Sequence, residues 1–315
     1  MTTRGVRTGP VVNERPTQGD LRRREAWWCY FFIAPAIIGV LLFALGPMIA
    51  SLWLSFTEYN LLSPPKWIAL ENYQNLASDP LFWKSLRVTA HYASVTVPGA
   101  LVAGLFAAIL LNAKMPTIGF FRSAYYLPSV IGGVAVARVW QMIYNPEVGL
   151  LNQMLALVGI DGPGWLTDER WALWSLIFMG IWNFGGTMLI YLAGLQGIPQ
   201  ELYEAAAVDG ASTFRKHIFV TIPMLSGVTF FNLVMGVIGS LQVFAEPFVL
   251  TQGTGRPNNS TLLLPLYLYQ NAFGYLKMGY ASAIAWVVFF ITMILTALIF
   301  RSLPLWVHSE VGDEK

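Results

Sequence analysis

The side chains with most chemical potential in this 315-residue chain are a few polar groups set inside long apolar runs. Arg138, Glu246 and His91 are ionisable; Gln141, Asn183, Asn232 and Gln242 are amides. Such groups are costly at membrane depth, so each is a candidate for function. The chemistry they offer is non-covalent. Amides and carboxylates bond hydroxyl groups, and the nearby Trp140, Trp182, Tyr191 and Phe244 present aromatic faces. That combination suits a sugar-like solute held by few, well-placed polar groups. Trp182 with Asn183 and Gln242 with Glu246 are the leading pairs, and Arg138 and Asn232 complete the set. Gln242 and Glu246 are four residues apart and are expected on one helix face. A competing reading holds for each residue: Asn and Gln commonly bond one membrane helix to another. Arg138 could equally pair with a carboxylate on a partner subunit, and Glu246 could be solvated at the outer end of its span.

Covalent chemistry lacks comparable support. His91, His217 and His308 are widely separated, so metal-ligand spacing is missing. There is no G-x-S-x-G elbow to support a Ser-His-Asp set. There is no G-x-x-x-x-G-K-[ST] phosphate cradle, so the chain cannot itself be an ATPase of that kind. It is read as a non-enzyme, with no catalytic residue, no metal ligand and no cofactor of its own. Cys29 is the only cysteine, which rules out an internal disulfide.

Apolar spans must position these groups. Hydrophobic residues make up 56% of the chain and charged residues 11%, against about 25% charged in soluble domains. The charges cluster in short stretches between long apolar runs, which marks lipid-facing surface. Six runs are long enough to span: about 27–56, 86–111, 120–144, 171–196, 226–250 and 280–303. The first is too long for a signal peptide and is read as a retained span. Pro35 and Pro47 should bend it. Pro128, Gly132 and Gly133 suggest a local break in the third. The domain plan is a tail over 1–26 without expected structure, a transmembrane domain over 27–303 and a tail over 304–315. Alternate segments carry twelve and six Lys and Arg residues, and the richer set includes both tails. By the positive-inside rule both termini face the cytoplasm of a cell membrane. A short interfacial helix is expected over 150–158, ended by Gly159 to Gly164.

One loop on the cytoplasmic side, 197–225, is long and has a definite local grammar. Pro199 suits a first helical turn. Glu201 and Glu204 favour the positive end of the helix dipole, and Ala205, Ala206 and Ala207 are strong helix formers. Gly210 can close the helix in the left-handed conformation. Ser212 or Thr213 can cap a second helix carrying Arg215, Lys216 and His217, and Pro223 should start the next span. The outcome is a helical hairpin. On these rules alone it is either a connector lying on the membrane or a docking surface for a cytoplasmic partner.

Glu204-Ala205-Ala206-x-x-Asp209-Gly210-Ala211, followed by Ile222-Pro223, resembles the EAA loop of ABC importer permeases. The resemblance extends along nearly the whole chain. Ala34-Pro35-Ala36, Pro47, the segment Ser51 to Phe56 and Glu71-Asn72-Tyr73 resemble sugar permeases of the MalF and glycerol-phosphate-permease type. So do Gly149-Leu150-Leu151-Asn152 with Trp165-Leu166, the stretch Thr251 to Thr261, Ala272-Phe273 and Gly279-Tyr280-Ala281-Ser282-Ala283. One departure is Pro223-Met224-Leu225-Ser226-Gly227, where many relatives have a second proline. The resemblance implies an all-α membrane protein of six transmembrane helices, the type I ABC importer permease (MetI-like) fold. It implies that Glu204, Ala205, Ala206, Asp209, Gly210, Ala211 and Pro223 couple the chain to an ATPase. The implied partners are a second, different permease chain, two ATPase subunits that bind ATP and Mg, an extracytoplasmic solute-binding protein and membrane lipid. No nucleic acid is implied. The rivals are an ion-coupled secondary transporter, which has no need of such a hairpin, and a membrane-embedded enzyme, which would need clustered catalytic groups.

Overall fold

A backbone that faces lipid must satisfy its own polar groups, and an α-helix does so within one segment. The computed structural model describes residues 18–113 and 115–307, and most of them are helical. Among the described residues five helices are long and apolar enough to cross a membrane: Glu25–Leu54, Pro80–Leu111, Glu169–Gln196, Ser226–Thr251 and Met278–Trp306. The remaining apolar run is a pair, Ile118–Val130 and Gly133–Ile143, bent by 102°. The expected break near Gly132 is therefore a sharp corner, with Ile131 in extended backbone. Arg4, Arg7, Arg15, Lys114, His308 and Lys315 lie outside the described residues.

The chain divides into two units, one ending at Trp53 and one beginning at Leu54. In the first, α1 (Gln18–Val40) passes through a π turn (Leu41–Leu45) into α2 (Gly46–Leu54). The stretch from Gln18, expected as unstructured tail, is helical. Its Leu, Arg and Glu residues are good helix formers, and they extend a helix already nucleated by the apolar run. Pro35 lies inside α1 without ending it. Ahead of Pro47 the Gly46 N–H bonds the carbonyl of Leu41, which makes the wider π turn. That turn gives room to a ring that would crowd the preceding turn of a regular helix.

The second unit opens with a small antiparallel ladder, β1 (Thr57–Glu58) on β2 (Lys66–Trp67). Helices α3 (Glu71–Ser78), α4 (Pro80–Leu111), α5 (Ile118–Val130), α6 (Gly133–Ile143) and α7 (Leu150–Leu157) follow. Then come α8 (Glu169–Trp182), α9 (Gly185–Gln196), α10 (Gln200–Val208), α11 (Thr213–Lys216), a π turn (His217–Thr221) and α12 (Ile222–Met224). The unit ends with α13 (Ser226–Leu241), α14 (Ala245–Thr251), α15 (Leu264–Tyr269), a π turn (Gln270–Gly274) and α16 (Met278–Trp306). The short helix expected over 150–158 is α7, and Gly159 beyond it has φ +74°. Helix α16 continues past the expected boundary at 303.

Helix α4 is central and packs on α8, α9 and α13. Ala107, Ala108 and Leu111 meet Met188, Leu192, Leu195 and Leu225 at one end of it. Val88 and Tyr92 meet Trp140, Leu176 and Leu250 further back. Beyond them Phe82 joins Leu76, Leu264 and Ile284. The motifs Glu71-Asn72-Tyr73 and Gly279 to Ala283 have a shared physical basis at that end. The Asn72 amide donates to the carbonyls of Ser55 and Thr57, both at 2.9 Å. Gly279 lies under the same turn, where a Cβ would come within 1.9 Å of the Thr57 oxygen.

Asp79 ties this end together. It caps α4 by accepting from the Leu81 N–H at 2.8 Å. It also accepts from the hydroxyls of Tyr280, at 2.7 Å, and Tyr267. Burial raises the Asp79 carboxyl, but hydrogen bonds from Tyr267, Tyr280 and the Leu81 and Phe82 backbone outweigh it and hold the group below its ordinary 3.8. Burial and the bond to Asp79 push Tyr267 up to about 12, so it stays a donor. A lowered carboxyl stabilises the fold above its unfolded value and ceases to as pH falls through its folded value. The melting temperature in detergent should therefore drop as pH falls below 3.8. Asp79→Asn should lack that component and cost about 1 kcal/mol at neutral pH, a charged hydrogen bond discounted for solvent exposure. Identical pH profiles for the two proteins would contradict the assignment.

Candidate functional site

Two features gather the candidate residues: a hairpin between α9 and α13, and a cavity among the helices. In the hairpin α10 is built as its composition requires, with Glu201 in its first turn. Pro199 sits one residue ahead of the helix, as its N-cap, rather than inside the first turn. The other end is a Schellman motif. The Ala211 N–H bonds the Ala206 carbonyl at 2.9 Å and the Gly210 N–H bonds the Ala207 carbonyl at 3.0 Å. Gly210 has φ +75°, a conformation that costs an L-residue roughly 1–2 kcal/mol. Ser212 then caps α11 by accepting from the Arg215 N–H. Of the hairpin candidates, Glu204, Ala205, Asp209 and Gly210 are exposed, and Ala206 and Ala211 are half-buried.

Pro223 does not begin the next span. It lies in α12, below a π turn in which the Ile222 N–H bonds the His217 carbonyl. This repeats the solution used ahead of Pro47. It carries the hairpin into α13 without a loop, since the Leu225 N–H bonds Thr221 and the Thr229 N–H bonds Leu225. Sequence reasoning overlooked two side chains here. Val208 is 89% exposed and Phe214 73%, and they flank the Gly210 turn as an uncovered apolar knob. The signal was available: two large apolar residues on either side of the Gly210 turn.

The cavity, of about 200 Å³, lies among α4, α6, α8, α13 and α14. Asn183, Asn232 and Glu246 line it together with Tyr92, Thr96 and Ser240. The Asn232 amide nitrogen is buried and has no hydrogen-bond partner among the described residues. An unpaired buried donor is costly, so this group is suited to a polar ligand. Glu246 lies at the N-terminal end of α6. A Cβ on Gly133 would come within 2.7 Å of its carboxylate oxygen, so Gly133 leaves room for the carboxylate in this position. The carboxylate is favourably placed at the positive end of the α6 dipole.

Three candidates stand elsewhere. Gln242 and Glu246 do not share a helix face, because α13 ends at Leu241 and α14 starts at Ala245. The cause is Pro247. Inside a continuous helix it would lack a donor and crowd the preceding turn, but in the first turn of α14 it is tolerated. Gln242 is exposed and does not line the cavity. Arg138 is exposed and donates to Gln141 at 2.9 Å. Trp182 packs edge-on against Trp140, with centroids 5.4 Å apart, outside the cavity lining. Among the described residues no group of His, Cys, Asp and Glu could hold a metal ion.

The sequence model of the "Binding-protein-dependent transport system inner membrane component" family matches residues 96–304. The chain is 44% identical to the probable ABC transporter permease protein YesP of Bacillus subtilis, over 90% of this chain and 93% of that protein. It is 37% identical to the lactose transport system permease protein LacF of Rhizobium radiobacter, over 86% and 92% respectively. It is 33% identical to the trehalose/maltose transport system permease protein MalF of Thermococcus litoralis, over 88% and 93%. A chain of a bacterial alginate ABC transporter, solved with its alginate pentasaccharide-bound periplasmic protein, shares the fold. Its TM-score is 0.79 at 22% identity, covering 91% of this chain and 96% of that one.

The Gly210 geometry makes a local prediction. Gly210→Val should speed amide hydrogen exchange in α10 about tenfold, the effect of a strained left-handed residue. Gly210→Asn should leave it near wild type, because Asn tolerates that conformation. Equal exchange in the valine variant would show that the turn does not need the left-handed backbone.

Proposed function

The chain belongs to the family of binding-protein-dependent transport system inner membrane components and is a permease subunit of an ABC importer, and on that premise we propose that its solute is a sugar and its hairpin the seat of an ATPase. The observation that carries the second part is the exposed hairpin. Its apolar knob, Val208 and Phe214, is uncovered among the described residues, and the Schellman turn at Gly210 lies between the two side chains. Such a knob is expected to be buried by a partner. Glu204, Ala205, Ala206, Asp209, Gly210 and Ala211 supply the surrounding surface, with alanines that allow close approach. Pro223 sets the π turn that joins this surface to α13. ATP and Mg belong to the ATPase subunits, two per complex. The strong Lys and Arg bias of the N-terminal segment supports cytoplasmic termini, and so a cytoplasmic hairpin.

The sugar reading is supported by the lactose and trehalose/maltose names of close relatives and by the chemistry of the cavity. Asn183 and Asn232 can bond hydroxyls, Glu246 can accept from them, and Tyr92 contributes an aromatic wall. About 200 Å³ is room for a sugar ring, with the rest of the path supplied by a second, different permease. An extracytoplasmic binding protein delivers solute. ATP binding draws the hairpins together and swings the permeases from inward- to outward-facing, a rigid-body change driven by differential affinity for ATP.

Purification of the tagged chain from its own membrane in mild detergent should bring with it an ATPase and a second permease. Reconstitution of that complex with its binding protein should give ATP-dependent sugar uptake. Recovery of the chain alone, in a form that still transports on an ion gradient, would favour the secondary-carrier reading. In the complex, Asn183→Ala or Asn232→Ala should lower uptake about tenfold with assembly intact, the scale of one or two lost hydrogen bonds. Arg138→Gln should stay near wild type. Loss of assembly in the asparagine variants would assign them to interhelical bonding instead.

A further inference from the structure

Helix α10 has little to hold it. Its two ends join the chain through turns, and among the described residues only one side-chain hydrogen bond links it to the rest: Tyr203 to Thr221, at 3.0 Å. Thr221 is fully buried. Its hydroxyl also meets the Nδ1 of His217 at 3.1 Å. A threonine hydroxyl has one proton, so it can donate to at most one of these neighbours and must accept from any other, and the three groups form a chain centred on Thr221. Water cannot readily replace a lost partner at a buried hydroxyl, so the chain is sensitive to deletion of any member.

Its location matters as much as its chemistry. Thr221 is the last residue of the π turn, and the Leu225 N–H bonds its carbonyl at 3.0 Å. Leu225 is buried among Leu192 and Leu195 of α9. The backbone ladder then continues through Thr229 into α13, which carries Asn232 into the cavity. Apart from its covalent link to α9, α10 meets the column that leads into α13 through the Gly210 turn, which can flex, and through the Tyr203–Thr221 bond, which bypasses that turn.

We propose that Thr221, with Tyr203 and His217, is a positioning latch that passes the movement of α10 into α13 and so sets how much solute moves per ATP hydrolysed. The proposal rests on the reading of the hairpin as the ATPase seat. Without the latch, α10 still docks but pivots about Gly210, and ATP is hydrolysed with less transport.

The test uses the whole importer, with ATPase, second permease and binding protein, in proteoliposomes. Uptake and ATP hydrolysis are measured together, and assembly by co-purification. Tyr203→Phe and Thr221→Val should assemble and hydrolyse ATP, with solute moved per ATP down about fivefold, the scale of one hydrogen bond. Thr221→Ser, which keeps the hydroxyl, should restore the ratio. The double variant Tyr203→Phe/Thr221→Val should be no worse than either single one, since both remove the same link. An unchanged ratio in Tyr203→Phe, or a Tyr203→Phe complex that fails to assemble, would overturn the latch. The first outcome leaves no transmission role, and the second makes Tyr203 part of the docking surface. If no ATPase accompanies even the wild-type chain, the seat reading fails, and the latch fails with it.

Discussion

The constraint on which the structure depends is the backbone hydrogen bond in a place where water cannot replace it. Each interruption of a helix in this chain must therefore be repaired locally, and each repair has a positional consequence. A π turn ahead of Pro47 keeps the first span continuous, and a second ahead of Pro223 keeps the hairpin continuous with α13. Pro247 forces a restart at Ala245. That restart aims Glu246 at the corner between α5 and α6, where Gly133 leaves room for its carboxylate. The polar groups of the cavity are thus products of helix breaks as well as of residue choice.

The same logic connects the two ends of the protein. The hairpin is not a loop hung between spans. It is the lower part of one helical column that passes through the π turn at His217–Thr221 and continues as α13. Asn232 lies on that column with its amide nitrogen unpaired among the described residues. A force applied at α10 and a ligand in the cavity beside Asn232 would therefore act on one element, as coupling of two sites through a shared element requires. At the opposite end Asp79, Tyr267 and Tyr280 hold α4, α15 and α16 together.

Local rules were enough for features with local causes. The Gly210 turn, the Ser212 cap and helix α7 could be read from a few neighbouring residues each. The family resemblance identified Asn72 and Gly279 as part of a pattern, but their joint purpose at Thr57 required the structure, because they are far apart in sequence. Gln242 and Glu246 were misjudged by treating 226–250 as one helix and overlooking Pro247. Arg138 and Trp182 were candidates because of residue type alone, and their orientation on the helix takes them away from the cavity. The Tyr203–Thr221 bond was invisible to periodicity, since it crosses between two helices whose angle is set by a single glycine.

The central claim is that the hairpin is a cytoplasmic surface covered by an ATPase. The most direct test is chemical labelling of a cysteine placed on its knob, as Val208→Cys in a Cys29→Ser background, since Cys29 is the only native cysteine. In inside-out vesicles stripped of ATPase, a membrane-impermeant maleimide should modify the residue rapidly, and added ATPase subunits should protect it. Labelling that occurs only from the outer face, or that proceeds unchanged when ATPase is restored, would contradict the account.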